Sequence, residues 1–159
     1  GYSSAASDVY KRQVIGSEMS GGVKKVTISN CVFDGTDRGI RIKSTRGRGG
    51  VVEDIRVSNV VMSDIKREAV VLNLKYSQMK MEKKSERTPV FRNIFVTGLT
   101  VRGTQTPLKV DGLPEAPIEG IVFRDIYVND AKEECLFRDC KDLVIDDVYV
   151  NGEKIKYEK

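Results

Sequence analysis

Two basic side chains stand two residues apart in the segment Ile40–Ser44, which reads IRIKS. In an extended strand, residues i and i+2 share a face. Arg41 and Lys43 then point one way, and Ile40 and Ile42 the other. A guanidinium supplies a planar fork and an ammonium a point charge, so the pair on a rigid strand suits a carboxylate, as on an acidic sugar. The competing reading is a solvated charged face with no ligand, and on these two residues alone it is the simpler account.

Other residues with possible chemistry lie nearby in sequence. Gly16, Gly21, Gly22, Gly35, Gly39, Gly47, Gly49 and Gly50 surround the IRIKS segment. They could cradle a phosphate, but no strand–glycine–helix context accompanies them, so turn glycines are the better reading. Arg46 and Arg48 resemble a short nucleic-acid patch, yet no aromatic residues for base stacking are interleaved with them. Asp146 and Asp147 look like a carboxylate pair for glycoside hydrolysis, but turn residues account for them more simply. Glu18, Asp34 and Asp37 are at most supporting residues. Tyr76 could stack on a sugar ring or simply pack.

Composition narrows the chemistry. The 159 residues carry 40% hydrophobic and 31% charged side chains, as a single globular domain does. No histidine is present, which excludes imidazole acid–base catalysis and His-ligated zinc within this sequence. The cysteines are Cys31, Cys135 and Cys140; an odd number excludes a complete disulfide framework, and a fourth zinc ligand is missing. No cofactor and no metal are expected. No run approaches the roughly 18 apolar residues of a membrane span, so no membrane partner is expected. The net charge of +4 is compatible with an acidic partner.

The elements that must carry these side chains come from an internal repeat. The copies are VTISNCVF from Val26, IRVSNVVM from Ile55, IFVTGLTV from Ile94, IVFRDIYV from Ile121 and LVIDDVYV from Leu143. Alternating, β-branched-rich segments are strands, and the central Asn30, Asn59, Gly98, Asp125 or Asp147 tolerates a left-handed corner. A further strand follows the first four copies at a near-constant offset, within IRIKS, AVVLNL from Ala69, PLKVD from Pro107 and CLFRD from Cys135. A fixed offset with variable gaps implies coils of a solenoid with loops leaving at one corner. The predicted fold is all-β, a right-handed parallel β-helix with about three strands per coil and a corner ladder of Asn30, Asn59, Asp125 and Asp147. A β-sandwich is the alternative. Ser77–Pro89 is a basic insertion between coils, and Glu153–Lys159 ends or frays the last coil.

The N-terminal residues 1–13 form a separate case. Ser3–Gln13 reads SSAASDVYKRQ and resembles, residue for residue, the translation of a transposase-type sequencing adapter. A genuine polar tail is the alternative. On the adapter reading, residues 14–159 are the β-helix domain, truncated at its N-terminal end.

The combination of motifs is also familiar. Ile15–Ser44 reads IGSEMSGGVKKVTISNCVFDGTDRGIRIKS and Gly47–Ile55 reads GRGGVVEDI. This resembles glycoside hydrolase family 28, the polygalacturonases, densely to about Asn59 and more loosely to about Asn151. The resemblance implies a pectin-lyase-like right-handed β-helix and inverting hydrolysis of α-1,4-galacturonan. It implies that Arg41 and Lys43, in the family's R-I-K motif, hold the galacturonate carboxylate, and that Tyr76 corresponds to a cleft tyrosine. The family's catalytic aspartates lie in N-T-D and D-D motifs upstream of the segment matched here, and a G-H-G motif runs into its I-G-S; here Ile15 is preceded by DVYKRQV, and no histidine is present. The expectation is therefore a fragment without catalytic residues and without activity of its own. The parent is expected to be a secreted or periplasmic, monomeric hydrolase acting on acidic polysaccharide. A non-catalytic polysaccharide-binding or adhesin-like β-helix is the competing function. Nucleic-acid binding is not expected; it would show as steep salt dependence. A truncated solenoid is further expected to expose an apolar end around Val26, Ile28 and Ile40 and to self-associate.

Overall fold

The structure, a computed structural model, describes residues 14–15, 22–45, 49–75 and 88–157, the first two by backbone alone. Its strands are β1 (Val14–Ile15), β2 (Val23–Asp34), β3 (Ile40–Lys43), β4 (Val51–Asn73), β5 (Val90–Asp111), β6 (Ile118–Ala131), β7 (Leu136–Arg138), β8 (Cys140–Val150) and β9 (Glu153–Lys154). Strands β2, β4, β5, β6 and β8 stack in that order, each parallel to the next. The register pairs Val26 with Ile55, Ile55 with Ile94, Ile94 with Ile121 and Ile121 with Leu143. These are the first residues of the five sequence copies, so each copy is one coil of a right-handed parallel β-helix. Parallel pairing between successive coils excludes the antiparallel sandwich. Among the described residues, antiparallel pairing is confined to β8–β9 and the Leu113–Ala116 bridge.

The corners explain how one strand turns twice without losing its ladder. Asn30, Asn59, Gly98, Asp125 and Asp147 all have φ between 53° and 66°. For most L-residues this conformation costs about 1–2 kcal/mol, and Asn, Asp and Gly bear it best. Asn59 Nδ2 donates to Asn30 Oδ1 at 2.7 Å, tying two rungs together. A second left-handed column, Lys25, Asp54, Asn93, Gly120 and Asp142, precedes the repeated motif and was not expected from the sequence. Lys25 is its exception, a long side chain where the other rungs are Asn, Asp or Gly.

Inward columns form one continuous core. Ile28, Val57, Val96 and Phe123 stack, as do Phe33, Met62, Val101 and Val128, and Ile42, Leu72 and Val110. Each fully buried side chain of this size contributes roughly 1.5–3 kcal/mol relative to exposure. The three cysteines are free. Cys31 and Cys140 sit in core columns, and burial pushes the Cys135 thiol up to about 11, which leaves it unreactive. Among the described residues no group of three or more His, Cys, Asp or Glu could hold a metal, and no helix is long and apolar enough to cross a membrane.

Outward positions of the first segment carry charges of alternating sign: Lys24, Glu53, Arg92, Glu119 and Lys141 are register partners. Glu53 accepts from Arg92 at 2.6 Å and pairs with Lys24 at 3.3 Å. The hydrogen bond from Arg92 is the main reason that the Glu53 carboxyl lies below its ordinary range.

The C-terminal tail ends the solenoid. The chain reverses at Asn151 and Gly152, β9 pairs antiparallel with β8, and Ile155 and Tyr157 pack on the core. Tyr157 meets Phe137 edge to face at 5.5 Å between ring centroids. At the other end, Ile28 and Ile40 are only 2% and 1% exposed, and Val26 is half-buried against the same cluster. The open apolar end expected at these residues is therefore corrected: they are buried in the core cluster, and β1 pairs with β3 on that side.

Candidate functional site

The strands that follow the corners make a separate sheet strip: β3, the last four residues each of β4 and β5, and β7. Ile40 and Ile42 are each 1% exposed, so Arg41 and Lys43 lie outward on one face, half-buried. The alternation inferred from sequence therefore holds. The loop before β3 is pinned to the next coil. Gly39 N donates to Glu68 O at 3.1 Å, Arg67 N to Asp37 O at 2.8 Å, and Arg38 Nε to Glu68 Oε2 at 2.8 Å. A Cβ on Gly39 would run into the Ala69 carbonyl oxygen and the Met62 sulfur. Glycine is required there by close approach rather than by a turn. Beyond β3, Ser44 N donates to Asn73 O at 2.9 Å.

Two outward rows cross this strip. One runs Arg41, Val71, Lys109, Leu136; the other runs Lys43, Asn73, Asp111, Arg138. Asp111 is 3% exposed and sits at the centre of an ion cluster. Arg138 grips it in bidentate fashion, Nε to Oδ1 at 2.9 Å and Nη2 to Oδ2 at 2.8 Å. Lys75 Nζ lies 3.1 Å from Asp111 Oδ1 and 3.5 Å from Asp139 Oδ2. Burial pushes the Asp111 carboxyl up, but hydrogen bonds from Arg138 and Lys75 outweigh it and hold it below the ordinary carboxylate range. The same contact raises Arg138 further. Lys75 N also donates to Asn73 Oδ1 at 2.7 Å, fixing the chain where it leaves the strip.

The remaining sequence candidates are not brought to this face. Asp147 occupies a left-handed corner, and Asp146 accepts from Arg124 at 3.0 Å on a different strip. Asp37, in the loop before β3, accepts through its backbone carbonyl from Arg67 N of the next coil, and Asp34 is exposed at the end of β2. Tyr76, Glu18, Arg46, Arg48, most of the Ser77–Pro89 insertion and the tail 1–13 lie outside the described residues. Sequence reasoning passed over Lys75, Lys109, Asp111 and Arg138. The signal was available: aligning LKVD from Leu108 and CLFR from Cys135 under IRIK from Ile40 puts Lys109 with Arg41, and Asp111 and Arg138 with Lys43.

The parallel coils and stacked corner ladder place the chain among the β-helical solenoids. Residues 14–142 match the family model for glycosyl hydrolases family 28, and the chain belongs to that family. It is 29% identical over 115 residues to a probable polygalacturonase of Vitis vinifera, covering 72% of this chain and 23% of that protein. It is 29% identical over 140 residues to endopolygalacturonase II of Aspergillus niger, covering 88% of this chain and 33% of the relative. Among solved structures it superposes on a hyperthermoactive exopolygalacturonase from Thermotoga maritima with a TM-score of 0.82 and 32% identity. That match covers 89% of this chain and 31% of the exopolygalacturonase. The chain thus spans about a quarter to a third of these relatives.

Proposed function

We propose that this chain is the carboxylate-binding part of a polygalacturonase, whose parent hydrolyses α-1,4-galacturonan with inversion of configuration. The observation that carries this reading is the outward placement of Arg41 and Lys43 on β3, inside the segment matched by the family model. The Arg41 guanidinium and Lys43 ammonium neutralise a uronate carboxylate and fix its sugar against the strip. In inverting hydrolysis one carboxylic acid protonates the leaving oxygen and a carboxylate activates water. Neither group is assigned to this chain, which contributes binding and orientation. By itself it therefore binds but does not hydrolyse. Tyr76, which directly follows Lys75 in sequence, is assigned to stacking on the sugar ring. The substrate is an acidic polysaccharide of the pectin type, and the matching location for the parent is secreted or periplasmic.

The test combines binding and turnover. Oligogalacturonates are titrated onto the chain, onto Arg41→Ala and onto Lys43→Ala, and reducing ends are followed on polygalacturonate. Loss of a charge-assisted contact is worth about 1.5–3 kcal/mol, so each variant is expected to bind roughly 10- to 100-fold more weakly. Turnover by this chain would overturn its assignment as a non-hydrolysing part. Equal binding by wild type and both variants would remove Arg41 and Lys43 from the site and leave a β-helical binding module of another kind.

A further inference from the structure

We propose that Lys109 and Arg138, with Lys75, form a second carboxylate-binding station on the same strip, and that buried Asp111 is its positioning residue. This rests on the reading of Arg41 and Lys43 as a uronate site and extends it along the solenoid. Three observations carry it. First, Lys109 shares an outward row with Arg41, and Arg138 shares one with Lys43. Neighbouring parallel strands lie about 4.8 Å apart, so the second station begins roughly 10 Å beyond the first along the solenoid axis. A polyuronate lying along that axis passes both.

Second, Asp111 and Asp139 engage Lys75 but leave donors on Arg138 and Lys109 that a ligand can use. Arg138 spends Nε and Nη2 on Asp111, and its side chain remains 53% exposed. A guanidinium has five N–H donors, so a second carboxylate can be accepted without breaking the first contact. Lys109 makes no ion pair shorter than 4.0 Å among the described residues. Glu133 acts on it only at longer range, and that carboxylate is already engaged by Gln105 at 2.6 Å and Thr106 at 2.8 Å. Third, Asp111 is too buried to meet a ligand. Its contacts with Arg138 and Lys75 fix where those cations stand, and this preorganisation lowers the entropy lost on binding.

The test is the length dependence of oligogalacturonate binding, measured by calorimetry on the whole chain with the dimer and the hexamer. Lys109→Ala and Arg138→Gln are each expected to weaken the hexamer roughly 10-fold and leave the dimer unchanged. Arg41→Ala weakens both oligomers. Lys109→Ala removes no ion pair shorter than 4.0 Å among the described residues, so its melting temperature is expected to stay close to the wild-type value, and a binding loss at unchanged stability reports on ligand. Unchanged hexamer affinity in Lys109→Ala and Arg138→Gln, alongside a loss in Arg41→Ala, overturns the second station and leaves the first. A loss in Lys109→Ala with none in Arg41→Ala or Lys43→Ala supports this station and overturns the first. No binding of either oligomer to the wild type overturns both.

Discussion

Two outward rows of the same solenoid treat charge in opposite ways. The row Lys24–Glu53–Arg92–Glu119–Lys141 alternates in sign. Its acidic Glu53 is held between two cations at 3.3 and 2.6 Å. The row Arg41–Val71–Lys109–Leu136 carries two cations and no acid, with buried Val71 between them. Alternating charges across a ladder stabilise it modestly, whereas like charges repel. The first row meets its charges within itself, whereas the second presents two cations of the same sign along the axis. On the proposed function, charge pattern along the solenoid axis separates a structural face from a binding face where composition, at +4 overall, does not.

The largest effect should come from the core that both rows share. Leu72 is fully buried between Val71 and Asn73 in sequence and stacks on Ile42 and Val110. Leu72→Ala is expected to lower unfolding free energy by about 2–5 kcal/mol in urea denaturation. A loss under about 1 kcal/mol would mean that the strip is not anchored by this column.

Asp111 gives the next effect, and it depends on pH. The folded carboxyl lies below its unfolded value of about 3.9, so the unfolded chain binds the extra proton between the two. The stabilisation is complete above about pH 4 and is lost as pH falls through the folded value. In thermal melts, wild type should lose stability relative to Asp111→Asn only below about pH 4. Parallel pH profiles for the two proteins would remove Asp111 from the ion cluster.

The smallest effect belongs to the alternating row. Glu53→Gln leaves the ladder hydrogen bonds intact and removes only the charge that pairs with solvent-accessible Lys24 and Arg92, so its melting temperature should shift little and less still in high salt. Its affinity for oligogalacturonate should match wild type. A binding loss as large as that of Arg41→Ala would erase the distinction between the rows.

Much of the fold was legible in the sequence because its causes are local. The alternation around Asn30 and Asn59 encodes two strands and a left-handed corner, and the five copies fall into register at their first residues. The outward pair Arg41 and Lys43 was legible for the same reason, a period of two over four residues. The Asp111–Arg138 cluster was not, because its members are 27 residues apart and meet only through coil stacking. The starts of the copies lie 29, 39, 27 and 22 residues apart, so unequal loops hide which residues share a row. The tail, expected to end or fray the last coil, ends it: β9 pairs with β8, and Ile155 and Tyr157 pack on the core, a closure invisible in a polar composition.

The central claim is that the single-signed row takes an acidic polymer and the alternating row does not. Its most direct test is a titration of hexagalacturonate onto wild type, the Arg41→Ala/Lys109→Ala double variant and Glu53→Gln at one ionic strength. Binding to wild type and Glu53→Gln, reduced at least about 10-fold in the double variant, is the predicted result. Equal binding to all three proteins would contradict it.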